Sequence, residues 1–252
     1  MSVSWVEPGW PAPDGVRALS TFRTGGASAA PYESLNLGGH VDDAAASVAE
    51  NRRRLLSAAA LPEEPVWLEQ VHGTHVADLD ALGGVGPADA AMTRQAGRVC
   101  AILTADCLPV LLAADTGGLV AAAHAGWRGL ALGVIEATVQ ALKVPPGRLL
   151  AWLGPAIGPK HFEVGPEVRQ ALLKADAGGE SAFIANERGR FMADLAKLAR
   201  RRLHSLGVGR IYGGGECTFA AGDRYFSHRR DGVTGRQASL IWLEPRKAGG
   251  IH

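Results

Sequence analysis

Cysteine is scarce in this chain: Cys100, Cys107 and Cys217 are its only thiols in 252 residues. An odd number of widely spaced thiols defines no disulfide framework, and with 47% apolar residues the chain fills a core without staples. Charge of one sign is missing as well. Lys+Arg total 26 against 25 Asp+Glu, a formal balance of +1 with no sustained run of either sign, so neither nucleic acid nor an anionic membrane surface is an indicated partner. No apolar run is long enough to span a bilayer, because the longest is broken by Asp106, Pro109 and Asp115. The opening residues MSVSWVEPGWPAPDG carry no basic segment followed by an apolar core, which argues against a signal peptide. Aromatics make up 6%, and core packing accounts for the scattered tryptophans. These absences predict a soluble, cytoplasmic, globular protein with reduced thiols.

Several catalytic signatures are also absent. There is no GxxxxGK[ST] phosphate loop, no GxSxG elbow and no H-x-E…P-C-x-x-C deaminase motif. The eight histidines form no HxH pair of the kind multicopper oxidases use.

What is present centres on Val99 to Leu142. Val99–Thr104, Val110–Ala114 and Leu119–Ala123 are apolar runs of strand length. Between the last two, Asp115-Thr116-Gly117-Gly118 has the composition of a tight hairpin turn. With Thr116 and Gly117 at the tip, Asp115 pairs with Gly118, and counting back sets His124 opposite Pro109. Cys107 then lies on the same face, diagonally across from His124, at a Cα separation of roughly 7–8 Å. A thiol and an imidazole are predicted to converge at one end of a buried hairpin. The chain continues through Gly126-Trp127-Arg128-Gly129 into a helix.

Elsewhere strands and helices alternate. Residues 1–15 read as an extended entry and Val16–Arg23 as a strand. Ser34–His40 reads as a short strand ending in glycines, where backbone can approach a ligand. A helix capped by Asp42 or Asp43 is predicted through Ala44–Ala60, stopped by Pro62. Val66–Val76 reads as one strand with a bulge at Gly73, and Leu149–Leu153 as another, running into the rigid loop Gly154–Pro159. Helices are predicted over Pro166–Ala175 and Met192–Leu206, the second with a stripe at Leu195, Leu198 and Leu203. Tyr225–Arg230 and Ser239–Leu243 read as closing strands, and residues 246–252 as a frayed tail. No linker or repeat divides the chain, so one α/β domain over residues 1–252, with mixed sheets flanked by helices, is expected.

Cys107 and His124 admit two chemistries, a nucleophile with its base or two ligands of a zinc ion with an open position. A buried structural cysteine beside a hydrogen-bonded histidine has the same spacing. Clustering of Asp106, Cys107 and His124 at strand ends, before a glycine-flanked helix, favours function. A third metal ligand has to come from far along the chain. His72 and His75 face oppositely on a strand, so at most one can join, and His72, beside Gln70 and Gly73, is the better placed. Arg23, Arg128, Arg229 and Arg230 lie at element ends near glycines, where phosphate or carboxylate can be held, and Asn36 is a further candidate for substrate contact. A surface salt bridge is the plain alternative for each arginine. Asp106 is a candidate proton carrier or partner to a site histidine. Cys100 reads as core, while Cys217, after a glycine-rich turn, stays open between core and function.

The ordered segments SLNLGGHV, LEQVHG, TADCLPVLL, AAHAGWRG, GPAIGP, ECTF and FSHRRDG resemble the laccase-domain, or YfiH-type, family, over roughly Arg23 to Leu243. The resemblance implies an α/β/β/α sandwich and a zinc site in which the histidine of QVHG is His72, the cysteine of ADC is Cys107 and the histidine of AHAGWRG is His124. It also implies phosphorolysis of adenosine, inosine and 5′-methylthioadenosine to base and sugar 1-phosphate, with adenosine deamination. Copper at the same residues, polyphenol oxidation and editing of peptidoglycan precursors are further activities described for the family. A Cys–His hydrolase and a non-enzymatic metal-binding regulator are the competing classes. The chain is expected to act as a monomer or homodimer.

Overall fold

The fold is described from a computed structural model for residues 2–81 and 86–245. The predicted frayed tail, 246–252, lies outside the described residues. The strands are β1 (Trp5–Val6), β2 (Val16–Thr21), β3 (Val66–Trp67), β4 (Val76–Asp78), β5 (Ala90–Thr93), β6 (Val99–Thr104) and β7 (Leu108–Ala114). They continue with β8 (Val120–Ala125), β9 (Leu149–Leu153), β10 (Glu163–Val164), β11 (Phe183–Ala185), β12 (Phe191–Ala193), β13 (Arg210–Gly213) and β14 (Gln237–Leu243). The helices are α1 (Ala45–Ala58), α2 (Trp127–Leu132), α3 (Val134–Leu142), α4 (Pro166–Ala175), α5 (Leu195–Ser205) and α6 (His228–Asp231).

Two mixed sheets stack face to face. One has the order β1-β2-β14-β6-β3, the other β13-β9-β7-β8-β5-β4, and a small antiparallel sheet β10-β12-β11 stands apart. Strand period decides which side chains meet. Along β6, Cys100 and Ile102 enter the core between the sheets, with Leu111, Ala113, Val120, Ala122 and Ile241. Val99, Ala101 and Leu103 turn outward, packing with Leu55 of α1. Along β7 and β8, Val110, Leu112, Ala121 and Ala123 face the layer that holds α3, α4 and α5. Central strands are thus covered on both faces, which is why they read as continuous apolar runs rather than alternations. The result is the expected α/β/β/α sandwich.

The central hairpin has the predicted register. Pro109 is opposite His124 and Ala113 opposite Val120, with the Gly117 N–H bonded to the Ala114 carbonyl at the turn. β6, β9 and α4 carry the predicted boundaries. The helix after Gly126 is broken at Gly133, whose left-handed φ of 97° separates α2 from α3.

Five expectations are corrected. Ser34–His40 is not a strand: the buried Asn51 amide donates to the Ser34 and Asn36 carbonyls, and Asn36 itself bonds Gly38 at both ends of its amide, so side chains rather than a ladder satisfy this backbone. Neither Asp42 nor Asp43 caps α1. The N-cap is Ala44, while the Asp43 carboxylate accepts from Ser28 Oγ and Asn36 Nδ2. Val66–Val76 is two short strands with a loop between, not one bulged strand. The predicted helix Met192–Leu206 starts later, because Phe191–Ala193 is β12 and Asp194 caps α5 by accepting the Lys197 N–H. Tyr225–Arg230 is no strand either: Tyr225 and Phe226 are buried, and Ser227 accepts the Arg230 N–H to start α6.

Candidate metal centre

Cys107 and His124 sit where the hairpin puts them, on the face of β7 and β8 that looks toward the second sheet. Asp106, immediately before Cys107, has a φ of 95°, which turns the chain into the start of β7. His72 arrives on the loop between β3 and β4, itself at a φ of 60°. Its Nε2 is 3.9 Å from the Cys107 Sγ, and its ring meets that of His124 edge to face with centroids 4.7 Å apart. The donor atoms of His72, Cys107 and His124 all lie within 4.8 Å of one another. His75 is exposed, so only one histidine of the pair joins, though a loop rather than strand alternation separates them.

Asp89, absent from the sequence-based candidates, organises this centre. It is fully buried directly before β5, and its carbonyl takes the His124 N–H at 2.7 Å. Its carboxylate lies 2.8 Å from His124 Nδ1 and accepts the N–H groups of Val71, His72 and Gly73 at 3.1, 2.9 and 2.6 Å. One side chain therefore fixes the His124 ring, leaving Nε2 for the centre, and ties down the loop that delivers His72. Although burial opposes its ionisation, the His124 contact and the N–H groups of Gly73 and Val71 hold this carboxyl below its ordinary pKa. The only sequence signal was a lone acid inside the small-residue run ADAAMT.

The three donors suit a metal. A thiol and two imidazoles are good zinc ligands, and among the described residues no fourth His, Cys, Asp or Glu joins the group, so a four-coordinate metal held by these three would keep one position for water or substrate. Burial alone would keep Cys107 and His124 neutral. Their mutual attraction outweighs it, taking the Cys107 thiol down to about 6 and, with the Asp89 contact, His124 up to about 9. Gly126 is required here because a Cβ at that position would stand 2.6 Å from the Cys107 Sγ. Gly126→Ala is expected to lower turnover roughly 100-fold by displacing the thiol, with an unchanged circular dichroism spectrum; normal zinc stoichiometry and turnover in that variant would contradict the packing argument.

The other candidates are more dispersed. Asp106 is not the carboxylate that partners a site histidine; that is Asp89. Its own oxygens accept from Thr218 Oγ1 and the Arg229 N–H, both at 2.7 Å, which anchors the turn before Cys107. The Arg229 guanidinium donates to the Glu163 carbonyl. Arg23 donates to the Glu33 and Gly222 carbonyls and covers the Phe226 ring. Arg128 is exposed over Trp127 at the start of α2. Asn36 is buried, and its Oδ1 takes the Arg236 N–H. Two residues passed over in the sequence are electrostatically coupled to the centre, though the Arg236 guanidinium itself donates to the Thr234 and Gly235 carbonyls. Arg236 has its pKa lowered chiefly by burial, against the attraction of Cys107 and Asp106. His40 has its pKa lowered by partial loss of water and by Arg236, His124, Arg52 and His72.

An α/β/β/α sandwich with a His/Cys/His group that could hold a metal ion, gathered at one end of a buried hairpin, is the class of protein that the fold and site define. The family model for the multi-copper polyphenol oxidoreductase laccase matches residues 17–244, and the chain belongs to this family. It is 54% identical over 242 residues to a purine nucleoside phosphorylase of Pseudomonas aeruginosa, covering 96% of this chain and 99% of that one. It is 52% identical over 239 residues to the purine nucleoside phosphorylase YfiH of Escherichia coli K12, covering 94% and 98%. Among solved structures, a Neisseria meningitidis protein superposes with a TM-score of 0.92 at 48% identity, covering 96% and 99% of the two chains. YlmD from Geobacillus stearothermophilus superposes with a TM-score of 0.90 at 34% identity, covering 96% of each chain.

Proposed function

We propose that this chain is a metal-dependent purine nucleoside phosphorylase, converting adenosine, inosine and 5′-methylthioadenosine with phosphate to the free base and a sugar 1-phosphate, and deaminating adenosine as a second activity. The observation that carries the reading is the convergence of His72, Cys107 and His124 with one position open, in a chain more than half identical to relatives named for phosphorolysis.

Zinc is the metal assigned, with copper as the alternative the same donors accept. Held by His72, Cys107 and His124, zinc supplies Lewis-acid polarisation and lowers the pKa of water. The chain's own residues do the rest. Asp89 holds His124 and the His72 loop, and Asp106, braced by Thr218 and the Arg229 N–H, holds the Cys107 turn. Phosphorolysis requires cations that bring phosphate to the anomeric carbon. We assign that contact to Arg128, beside Gly126, and to Arg236, with His40 near it. Arg23, Arg229 and Asn36 support the surrounding backbone by the hydrogen bonds above. Among the described residues no helix is long and apolar enough to cross a membrane. With all three cysteines free, we place the protein in the cytoplasm, as a monomer or homodimer.

The test is a nucleoside screen of zinc-loaded protein with and without phosphate, after metal analysis of the protein as purified. Base and sugar 1-phosphate should form only with phosphate, and inosine should form from adenosine without it. No base released from any of the three nucleosides would refute the assignment. The proximity of the Cys107 sulfur to the His124 imidazole favours one second reading, a Cys–His hydrolase acting on an amide of a cell-wall precursor. That reading requires activity to survive chelation and to be lost on thiol alkylation, whereas the metal reading requires loss on chelation and recovery with zinc.

A further inference from the structure

Cys217, left open by the sequence, lies on the far side of β7 from the metal centre. Leu108, Val110 and Leu112 alternate toward the helical layer, opposite to Cys107 and Pro109, and Leu108 lines a cavity of about 450 Å³ on that side. The Cys217 Sγ opens into this cavity, with His161 and Lys160 in its wall. Three contacts fix the thiol's surroundings. Its sulfur is 3.5 Å from His161 Nδ1 and takes the Gly158 N–H at 3.2 Å. The His161 ring is stacked on Phe219, with centroids 4.4 Å apart and planes 18° from parallel, so the imidazole is held facing the sulfur. A partly exposed thiol with a fixed imidazole and an N–H donor at its sulfur is the arrangement that makes a cysteine nucleophilic.

We propose that Cys217 is a thiol-exchange site that takes up low-molecular-weight disulfides as mixed disulfides, the adduct lying in the cavity beside Lys160. The Cys217 proton passes to His161 Nδ1 as the sulfur attacks one sulfur of the incoming disulfide. The Cys217 S–S bond forms while the reagent's own S–S bond breaks. The departing thiolate takes the proton from the imidazolium and leaves as a thiol, so Cys217 is oxidised and the second half of the reagent is reduced. The other cysteines are unsuited. Cys100 is fully buried between the sheets, where burial pushes its thiol pKa up, and Cys107 is committed to the metal centre.

The experiment treats zinc-loaded protein with glutathione disulfide and follows intact mass, then maps the adduct by peptide digestion. One adduct per chain is expected, on the peptide holding Cys217, removed by dithiothreitol and missing from Cys217→Ser. His161→Phe keeps a ring to stack on Phe219 but removes the nitrogen, and it should slow adduct formation by about tenfold or more. A folded protein that forms no adduct at Cys217 overturns the proposal, as does an adduct placed mainly on another cysteine. An unchanged rate in His161→Phe overturns the role of the imidazole and with it the exchange site. Because the readout is mass rather than turnover, the outcome does not depend on the nucleoside reading of the metal centre.

Discussion

Asp89→Asn is expected to lower zinc affinity about 10- to 100-fold, and Asp89→Ala to destabilise the fold by about 3–5 kcal/mol as well. The wild-type carboxylate serves two elements at once: it faces His124 Nδ1 and it collects three consecutive main-chain N–H groups from the loop that carries His72. Asparagine keeps the shape but replaces one acceptor oxygen with an NH₂ group, which confronts donors. At least one N–H in this buried site then has no acceptor, or His124 loses its partner. Alanine removes every acceptor and leaves His124 and the three N–H groups unpaired. The measurement is a competition titration against a coloured zinc chelator, alongside thermal unfolding of the metal-free protein. Asparagine should separate the two effects, with zinc affinity falling further than stability. Wild-type zinc affinity in Asp89→Asn would show that the loop and the His124 ring are held by packing alone.

How much of this centre was readable from the chain follows from how local its causes are. The Cys107–His124 juxtaposition could be counted out because Asp115–Gly118 is a short turn and a hairpin has one register per turn. The cores reinforced that reading, since β6, β7 and β8 are apolar on both faces and have nowhere else to go. The spacing of His72 could not be read, because its position depends on a left-handed residue in a loop anchored by residues far away in sequence: Asp89, 17 residues on, and Leu103, which pairs with the Gln70 amide. The laccase-family resemblance supplied that residue instead. Asp89 itself gave little signal: its role arises from lying opposite His124 across β5 and β8, a long-range pairing no local window contains. Tyr225–Arg230 misled for a related reason. Two buried aromatics followed by polar residues look like a strand, but Ser227 supplies a helix cap that outweighs the alternation. The stretch Ser34–His40 misled because buried asparagine side chains stand in for a neighbouring strand.

Zinc binding is expected to strengthen about tenfold for each pH unit between pH about 6 and about 9, and to level off above that window. The sign follows from the two ligands. His124 is raised from an ordinary 6.5 to about 9, so its charged form supports the metal-free fold fully below 6.5 and that support is lost as pH rises through about 9. Cys107 is lowered from 9.0 to about 6, so its thiolate supports the fold fully above 9.0 and that support is lost as pH falls through about 6. Between the two values the metal-free site is a thiolate–imidazolium pair. A metal needs the thiolate, which is already present, and a neutral imidazole, which is not. Each ion bound in this window therefore displaces about one proton, from His124. Below about pH 6 the thiol must ionise too, so more than one proton leaves and the dependence becomes steeper. Calorimetric titration in buffers of different ionisation enthalpy counts the released protons directly. Close to one at pH 7.5 is the expected value; zero would mean that His124 is already neutral in the metal-free protein. Asp89→Asn provides the internal control, because removing the carboxylate lowers the His124 pKa and moves the plateau to lower pH. A plateau that stays at pH about 9 in that variant would leave the Cys107 thiolate alone holding the proton on His124.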